Sequence, residues 1–237
     1  MLIRNKKPFT VGVVFAISFL AVLVLIFSPV FNGKNGLVFS DDMFNKLSKG
    51  SSYFIPKVAK SVEGFAGKPL SVTIKLEKAE EAENTAKLFT TAGASVEVKD
   101  AQLLRIEGDL GAVLQSALAD SDSMFKNDGK AVSERYGYDE KHVMKNWWTA
   151  LSGIDKALKK DKLVAEAKAV SDVIKKGVEP GYNFYKIDAN KVADHAGMMS
   201  GLLIFYVAYT MWWGYAIFYI FDGIGLSMKK AKVKKEA

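Results

Sequence analysis

Hydrophobic residues along this chain fall into two unbroken blocks and a long patterned middle. Pro8 to Gly33 contains no Asp, Glu, Lys, Arg or His, and its centre runs VGVVFAISFLAVLVLIF. Ala196 to Phe221 is equally free of charge, with a centre reading MMSGLLIFYVAYTMWWGYAIFYIF. Each block exceeds the roughly 20 apolar residues that cross a bilayer core of about 30 Å. The pattern predicts transmembrane helices over 9–30 and 197–225, flanking an α+β domain over 31–196.

The middle alternates between strand and helix periods. Asn32 to Gly36 reads as a Gly/Asn linker. A helical stretch is expected from about Asp41 or Asp42 to Phe65, with Asp42 as N-cap and Phe44, Leu47, Tyr53, Phe54 and Val58 as apolar positions. Gly50 and Pro56 interrupt it, which favours two short helices. Leu70, Val72, Ile74 and Leu76 then alternate with polar residues, the period of a half-buried strand. Ala79, Ala82, Ala86 and Phe89 share a helical face, with Gly93 placed to end that helix. Val96 and Val98 open a second strand, KDAQ resembles a hairpin turn, and Leu104 and Ile106 continue a third. Asp109 is placed to cap a helix carrying Leu110, Val113, Leu114, Ala117 and Leu118. The order β-α-β-β-α is half of a ferredoxin-like sandwich.

Beyond it the pattern is helical. Val143, Trp147, Leu151, Ile154 and Leu158 hold one face, the phase breaks near Asp161, and Leu163, Ala167, Val170 and Ile174 resume it. Gly177 and Pro180 are expected to end the run. Tyr182, Phe184 and Tyr185 then stand where an interfacial aromatic belt would.

Charge sets a direction. The net charge of +7 is concentrated at the ends, because 32–196 holds 25 Lys+Arg against 24 Asp+Glu. Arg4, Lys6 and Lys7 precede the first span, and Lys229, Lys230, Lys232, Lys234 and Lys235 follow the second. The positive-inside rule places both tails, 1–8 and 226–237, in the cytoplasm and the central domain outside. These lysines and the arginine are membrane-surface residues contacting anionic headgroups, not a nucleic-acid footprint. The apolar run exceeds that of a signal peptide and no A-x-A-like site follows it, so the first span is expected to be a retained anchor. The absence of cysteine excludes disulfides, thiolate ligation and Cys nucleophiles. With no N-x-[ST] acceptor either, a bacterial inner membrane with a periplasmic domain is the expected setting.

Candidate chemistry is sparse. Of the two histidines, His142 sits in the charged run DEKHVMK and reads as surface. His195 precedes the second span and is the one candidate cofactor residue, for haem or quinone shared with a partner. Asp222 lies at the inner end of the second span, at headgroup depth. Glu77, Glu80, Glu81 and Glu83 crowd a helix start without the spacing of a calcium loop. No nucleotide, zinc-protease or serine-hydrolase motif occurs. No catalytic residue, metal ligand or resident cofactor is therefore expected, and the chain is expected not to be an enzyme.

The second span is unusual in its own composition. Nine of the seventeen residues from Phe205 to Phe221 are aromatic. Trp212 and Trp213 fall near mid-span, and lipid offers no partner for their N–H groups or for tyrosine hydroxyls such as that of Tyr209. Gly197 with Gly201, and Gly12 with Ala16 in the first span, supply small surfaces for close helix approach. These seven residues are the candidate packing and partner interface. With such short cytoplasmic tails, the expected role is a non-catalytic accessory subunit of a respiratory or transport complex, presenting its outer domain to partner subunits. The alternatives are an extracytoplasmic sensor or ligand-binding protein, and an envelope assembly factor of the polysaccharide co-polymerase type, which shares the two-span layout.

Overall fold

A computed structural model describes residues 3–100 and 102–226. The basic residues Lys229, Lys230, Lys232, Lys234 and Lys235 lie outside the described residues. The chain is a helix-rich α+β protein with a small three-stranded antiparallel sheet and two long apolar helices. It divides into two compact units, one from the described parts of 1–44 and 191–237 and one from 45–190.

The first unit is dominated by α1 (Lys6–Phe27) and α10 (Ala196–Ile224), of 22 and 29 residues, both long and apolar enough to cross a membrane. Helix α2 (Gly36–Ser51) starts in this unit, and its first turn corrects the expected cap. Asn35, not Asp42, receives the first-turn amide, its Oδ1 accepting from Val38 N at 2.9 Å. Asp42 instead pairs with Lys34. Asn35 and Gly36 thus form a helix start rather than a linker, because an Asx side chain satisfies the amides that would otherwise lack a partner.

The second unit begins in the later part of α2. Gly50 lies inside that helix, and the break falls at Ser52–Phe54, with Pro56 opening α3 (Ile55–Val62) where its missing N–H costs nothing. Of the expected apolar positions, Leu47 and Val58 are buried while Phe44, Tyr53 and Phe54 are exposed. Strand β1 (Pro69–Lys75) follows with strict alternation, Leu70, Val72 and Ile74 pointing inward. Helix α4 (Ala82–Thr91), preceded by a 3-10 turn, buries Ala82, Thr85, Leu88 and Phe89, so its inner face is rotated from the Ala79/Ala86 line. Gly93 ends the turn after it at φ +82°.

Strands β2 (Ser95–Asp100) and β3 (Leu103–Asp109) form a hairpin, and the sheet order is β1-β3-β2 with both pairs antiparallel. Asp109 ends β3 and caps α5 (Leu110–Phe125), as its spacing implied, accepting from Ala112 N at 3.1 Å and from Gly67 N at 2.6 Å.

Four further helices complete the unit: α6 (Gly129–Tyr136), α7 (Glu140–Lys160), α8 (Val164–Val173) and α9 (Glu179–Asn183). Val143, Trp147, Leu151, Ile154 and Leu158 of α7 are all buried, Trp147 meeting Phe89 edge-on at 5.4 Å. The phase break is a true interruption, with Lys162 at φ +61° and Leu163 left exposed at the N-cap of α8. Gly177 and Pro180 do not end the helical run. It continues through a π turn, Ile174–Val178, into α9. The wider turn shifts the hydrogen-bond register ahead of Pro180, which lacks an N–H. Packing fixes this path, since a Cβ on Gly181 would stand 2.9 Å from the Ser121 carbonyl oxygen of α5. Phe184 and Tyr185 belong to this packing rather than to an open aromatic belt. Phe184 meets Phe125 edge-on at 5.9 Å, and Tyr185 donates to Glu140 Oε1 at 2.8 Å.

Candidate functional site

Helices α1 and α10 run antiparallel along a seam with heptad spacing. Tyr209, Trp212, Ala216, Tyr219 and Gly223 step by 3, 4, 3 and 4 residues. That spacing keeps one stripe of the later part of α10 facing a partner helix. Near one end the backbones almost touch: a Cβ on Gly12 would lie 2.6 Å from Ile220 N, and one on Gly223 would lie 2.6 Å from Phe9 Cβ. Arg4 N and Asn5 N both donate to Gly223 O at 2.9 Å, closing that end.

Towards the middle, rings replace small residues. Phe19 stacks on Tyr209 at 4.1 Å and lies 4.7 Å from Trp213, while Phe15 lies between Trp212 and Tyr219. Tyr209 Oη donates to Phe19 O at 3.0 Å, and Trp212 Nε1 donates to Ser18 Oγ at 3.2 Å. The partners that the sequence demanded for Tyr209 and Trp212 are therefore supplied by the same chain. Gly12 is buried in the seam and Ala16 is half-buried four residues on.

Gly197 and Gly201 lie in the open, and Trp213, beyond its ring contact with Phe19, shares an exposed outer face of α10 with Tyr206 and Tyr215. Around Gly197 and Gly201 nothing lies within 4 Å of where a Cβ would stand. Trp213 keeps 40% of its surface, Tyr215 49% and Tyr206 64%. No hydrogen bond is made by the Tyr206 or Tyr215 hydroxyl, or by the Trp213 indole, among the described residues. Arg4, Lys6 and Lys7 are exposed at the closed end of the hairpin. His195 is half-buried at the N-cap of α10, and His142 is exposed in the first turn of α7. Asp222 is half-buried, and its carbonyl accepts from Asn5 Nδ2 at 3.2 Å.

The second unit holds polar features that the sequence reading passed over. Asp120 of α5 is fully buried and accepts from Tyr136 Oη at 2.6 Å, from Trp147 Nε1 at 2.8 Å and from Arg135. Burial pushes its carboxyl above the ordinary value, against these three donors. The hub ties α5, α6 and α7 together. Its signal was present, since Asp120 lies three residues after Ala117 and four before Met124 on the inner face of α5.

Lys49 is also buried, its ammonium donating to Asn127 Oδ1 at 2.9 Å and to the carbonyls of Phe184 and Ile187. Burial lowers its pKa. Tyr138, hydrogen-bonded to Asn84 O at 3.2 Å, is raised by burial to about 12. These groups hold loops and helices together, and none is paired with a nucleophile.

Two grooves meet at the exposed Trp148 of α7. One, of about 370 Å³, runs between α7 and α9 past Tyr182; the other, of about 490 Å³, runs between α7 and β1. Trp148 Nε1 donates to Glu179 Oε1 at 3.0 Å. Among the described residues, no three His, Asp or Glu side chains gather to hold a metal ion. Comparison with protein-family models, curated proteins and solved structures gave no match.

Proposed function

We propose that this chain is a non-catalytic accessory subunit of an integral membrane complex, anchored by α1 and α10 as a two-span hairpin. The observation carrying the proposal is the outer face of α10. Tyr206, Trp213 and Tyr215 project from an apolar helix with their polar atoms unpaired among the described residues, and lipid tails offer them nothing. A neighbouring helix from another subunit satisfies them, and Gly197 and Gly201 on the open surface let such a helix approach.

In this reading the closed end of the hairpin, carrying Arg4, Lys6 and Lys7, faces the cytoplasm of a bacterial cell with the lysines after Gly225. The 45–190 unit stands in the periplasm, its β-α-β-β-α segment forming half of a ferredoxin-like sandwich. The electron-transfer or transport setting rests on the need for membrane-embedded partners, and the bilayer itself is the second partner. Extraction of the tagged chain in a mild detergent, followed by native mass analysis, tests this. Recovery with other membrane subunits is expected; recovery as a lone monomer or homodimer overturns it.

A further inference from the structure

The sheet has one edge prepared for a strand that the described chain does not supply. Leu76 N donates to Gln102 O at 2.8 Å and Leu110 N donates to Lys68 O at 2.9 Å, which fixes the phase of the β1–β3 ladder. Leu70, Val72 and Ile74 turn their backbone groups toward β3. Ser71, Thr73 and Lys75 therefore turn theirs outward, and all three residues are exposed. A returning strand in a split β-α-β arrangement would sit at this edge. Here the chain leaves α5 into α6 instead.

Helix α7 overhangs that edge. A Cβ on Gly153 would stand 3.1 Å from the Ile74 side chain, and the groove between them is about 490 Å³. Its α7 wall carries Trp148, Ser152, Lys156 and Lys160. From Lys145 to Lys160 the helix spans about 22 Å, the length of a strand of six or seven residues.

The charge of the groove is one-sided. Lys75, Lys156 and Lys160 line it and make no ion pair among the described residues, whereas neighbouring Lys159 is paired with Asp155 at 2.6 Å. Glu77 is the one acid in the groove wall.

We propose that the groove between β1 and α7 receives an extended acidic segment of a partner polypeptide, which adds to β1 as a fourth strand. The backbone edge decides between anionic partners. It presents donors and acceptors alternately, and a polypeptide strand satisfies both. Phosphates of lipid or nucleic acid only accept, and would leave the outward carbonyls of Ser71, Thr73 and Lys75 unpaired. A second copy pairing through the same edge would set lysine rows against each other. Glu or Asp side chains on the α7 side of the added strand meet the lysines, and an apolar one meets the ring of Trp148. The groove lies wholly within the 45–190 unit, so this assignment stands independently of membrane anchorage.

The test uses the full chain in detergent micelles and a fluorescein-labelled peptide of about eight residues alternating Glu with Val. Saturable binding by anisotropy is expected, with slowed amide exchange at Ser71, Thr73 and Lys75. Methylating alternate peptide nitrogens, exchanging Glu for Lys in the peptide, Lys156→Glu with Lys160→Glu, and Thr73→Pro should each weaken binding about tenfold or more. The peptide variants and the exchange measurement use unaltered protein, so they decide even if Thr73→Pro fails to fold. Absence of saturable binding, or equal affinity for the N-methylated peptide, overturns the proposal. So does equal binding of anionic vesicles or an oligonucleotide, or self-association through this edge.

Discussion

Trp212 donates its indole N–H to the Ser18 hydroxyl at 3.2 Å, closing a polar contact inside the seam of two apolar helices. Its sequence neighbour Trp213 keeps 40% of its surface on the outer side of α10, with only its contact to Phe19 turned inward. Two adjacent tryptophans thus do different work. The first holds the hairpin together, and the second is available to another helix.

The tryptophans are therefore separable by mutation. Trp212→Leu removes the donor to Ser18 and the edge contact with Phe15, costing the hairpin about 1 kcal/mol. A disulfide between cysteines introduced on α1 and α10 should then form more slowly, while the yield of the larger complex stays near normal. Trp213→Leu loses only the ring contact with Phe19 inside the hairpin and should slow the disulfide less than Trp212→Leu while lowering the yield of the complex more. Equal effects of the two variants on both readouts would contradict this division of roles.

Asp120 joins three helices through a single buried carboxylate. Replacing it by Ala leaves Tyr136 Oη and Trp147 Nε1 buried without an acceptor, while Arg135 can still reach water. The expected cost is about 3 kcal/mol. Asp120→Asn keeps one acceptor oxygen and should cost less. Thermal unfolding followed by near-ultraviolet circular dichroism checks the order, and a midpoint for the Ala variant equal to that of the native chain would rule out the hub.

Asp109 carries a pH dependence of definite sign. Amides of Ala112 and Gly67 hold its carboxyl below the usual range. The folded state therefore binds this proton less readily than the unfolded state. The stabilisation is present above the unfolded carboxylate value of about 4 and is lost as pH falls through the folded value. Asp109→Asn retains a capping oxygen and does not titrate. The unfolding midpoint of the native chain should fall toward that of the variant as pH drops below about 4. A constant difference between the two across that range would contradict the assignment.

Much of the fold was legible where one periodicity dominated. The inward row of α7, the alternation of β1 and the Asp109 cap follow from spacing alone. The heptad row from Tyr209 to Gly223 is equally present in the spacing, although the density of rings in this span masks their register. Elsewhere local signals were overruled. Asn35 and Asp42 are both suitable caps, and Gly36 reads as a linker until the Asn35 side chain is seen on Val38 N. Gly177 and Pro180 are helix breakers locally, but close packing of Gly177 and Gly181 against α5 carries the chain through a π turn instead. The open edge of β1 had no signature in the sequence, because an edge strand with one buried face has the same alternation whether or not a neighbour pairs with it.

Membrane orientation is the claim on which the functional reading depends. The chain contains no cysteine, so single introduced thiols report unambiguously. Lys130→Cys, on the exposed surface of the 45–190 unit, and Lys6→Cys, at the closed end of the hairpin, are to be treated in intact spheroplasts with a membrane-impermeant maleimide. The account predicts labelling of Lys130→Cys without lysis and of Lys6→Cys only after lysis. Labelling of both before lysis, or the reverse pattern, would contradict a two-span anchor with an external domain.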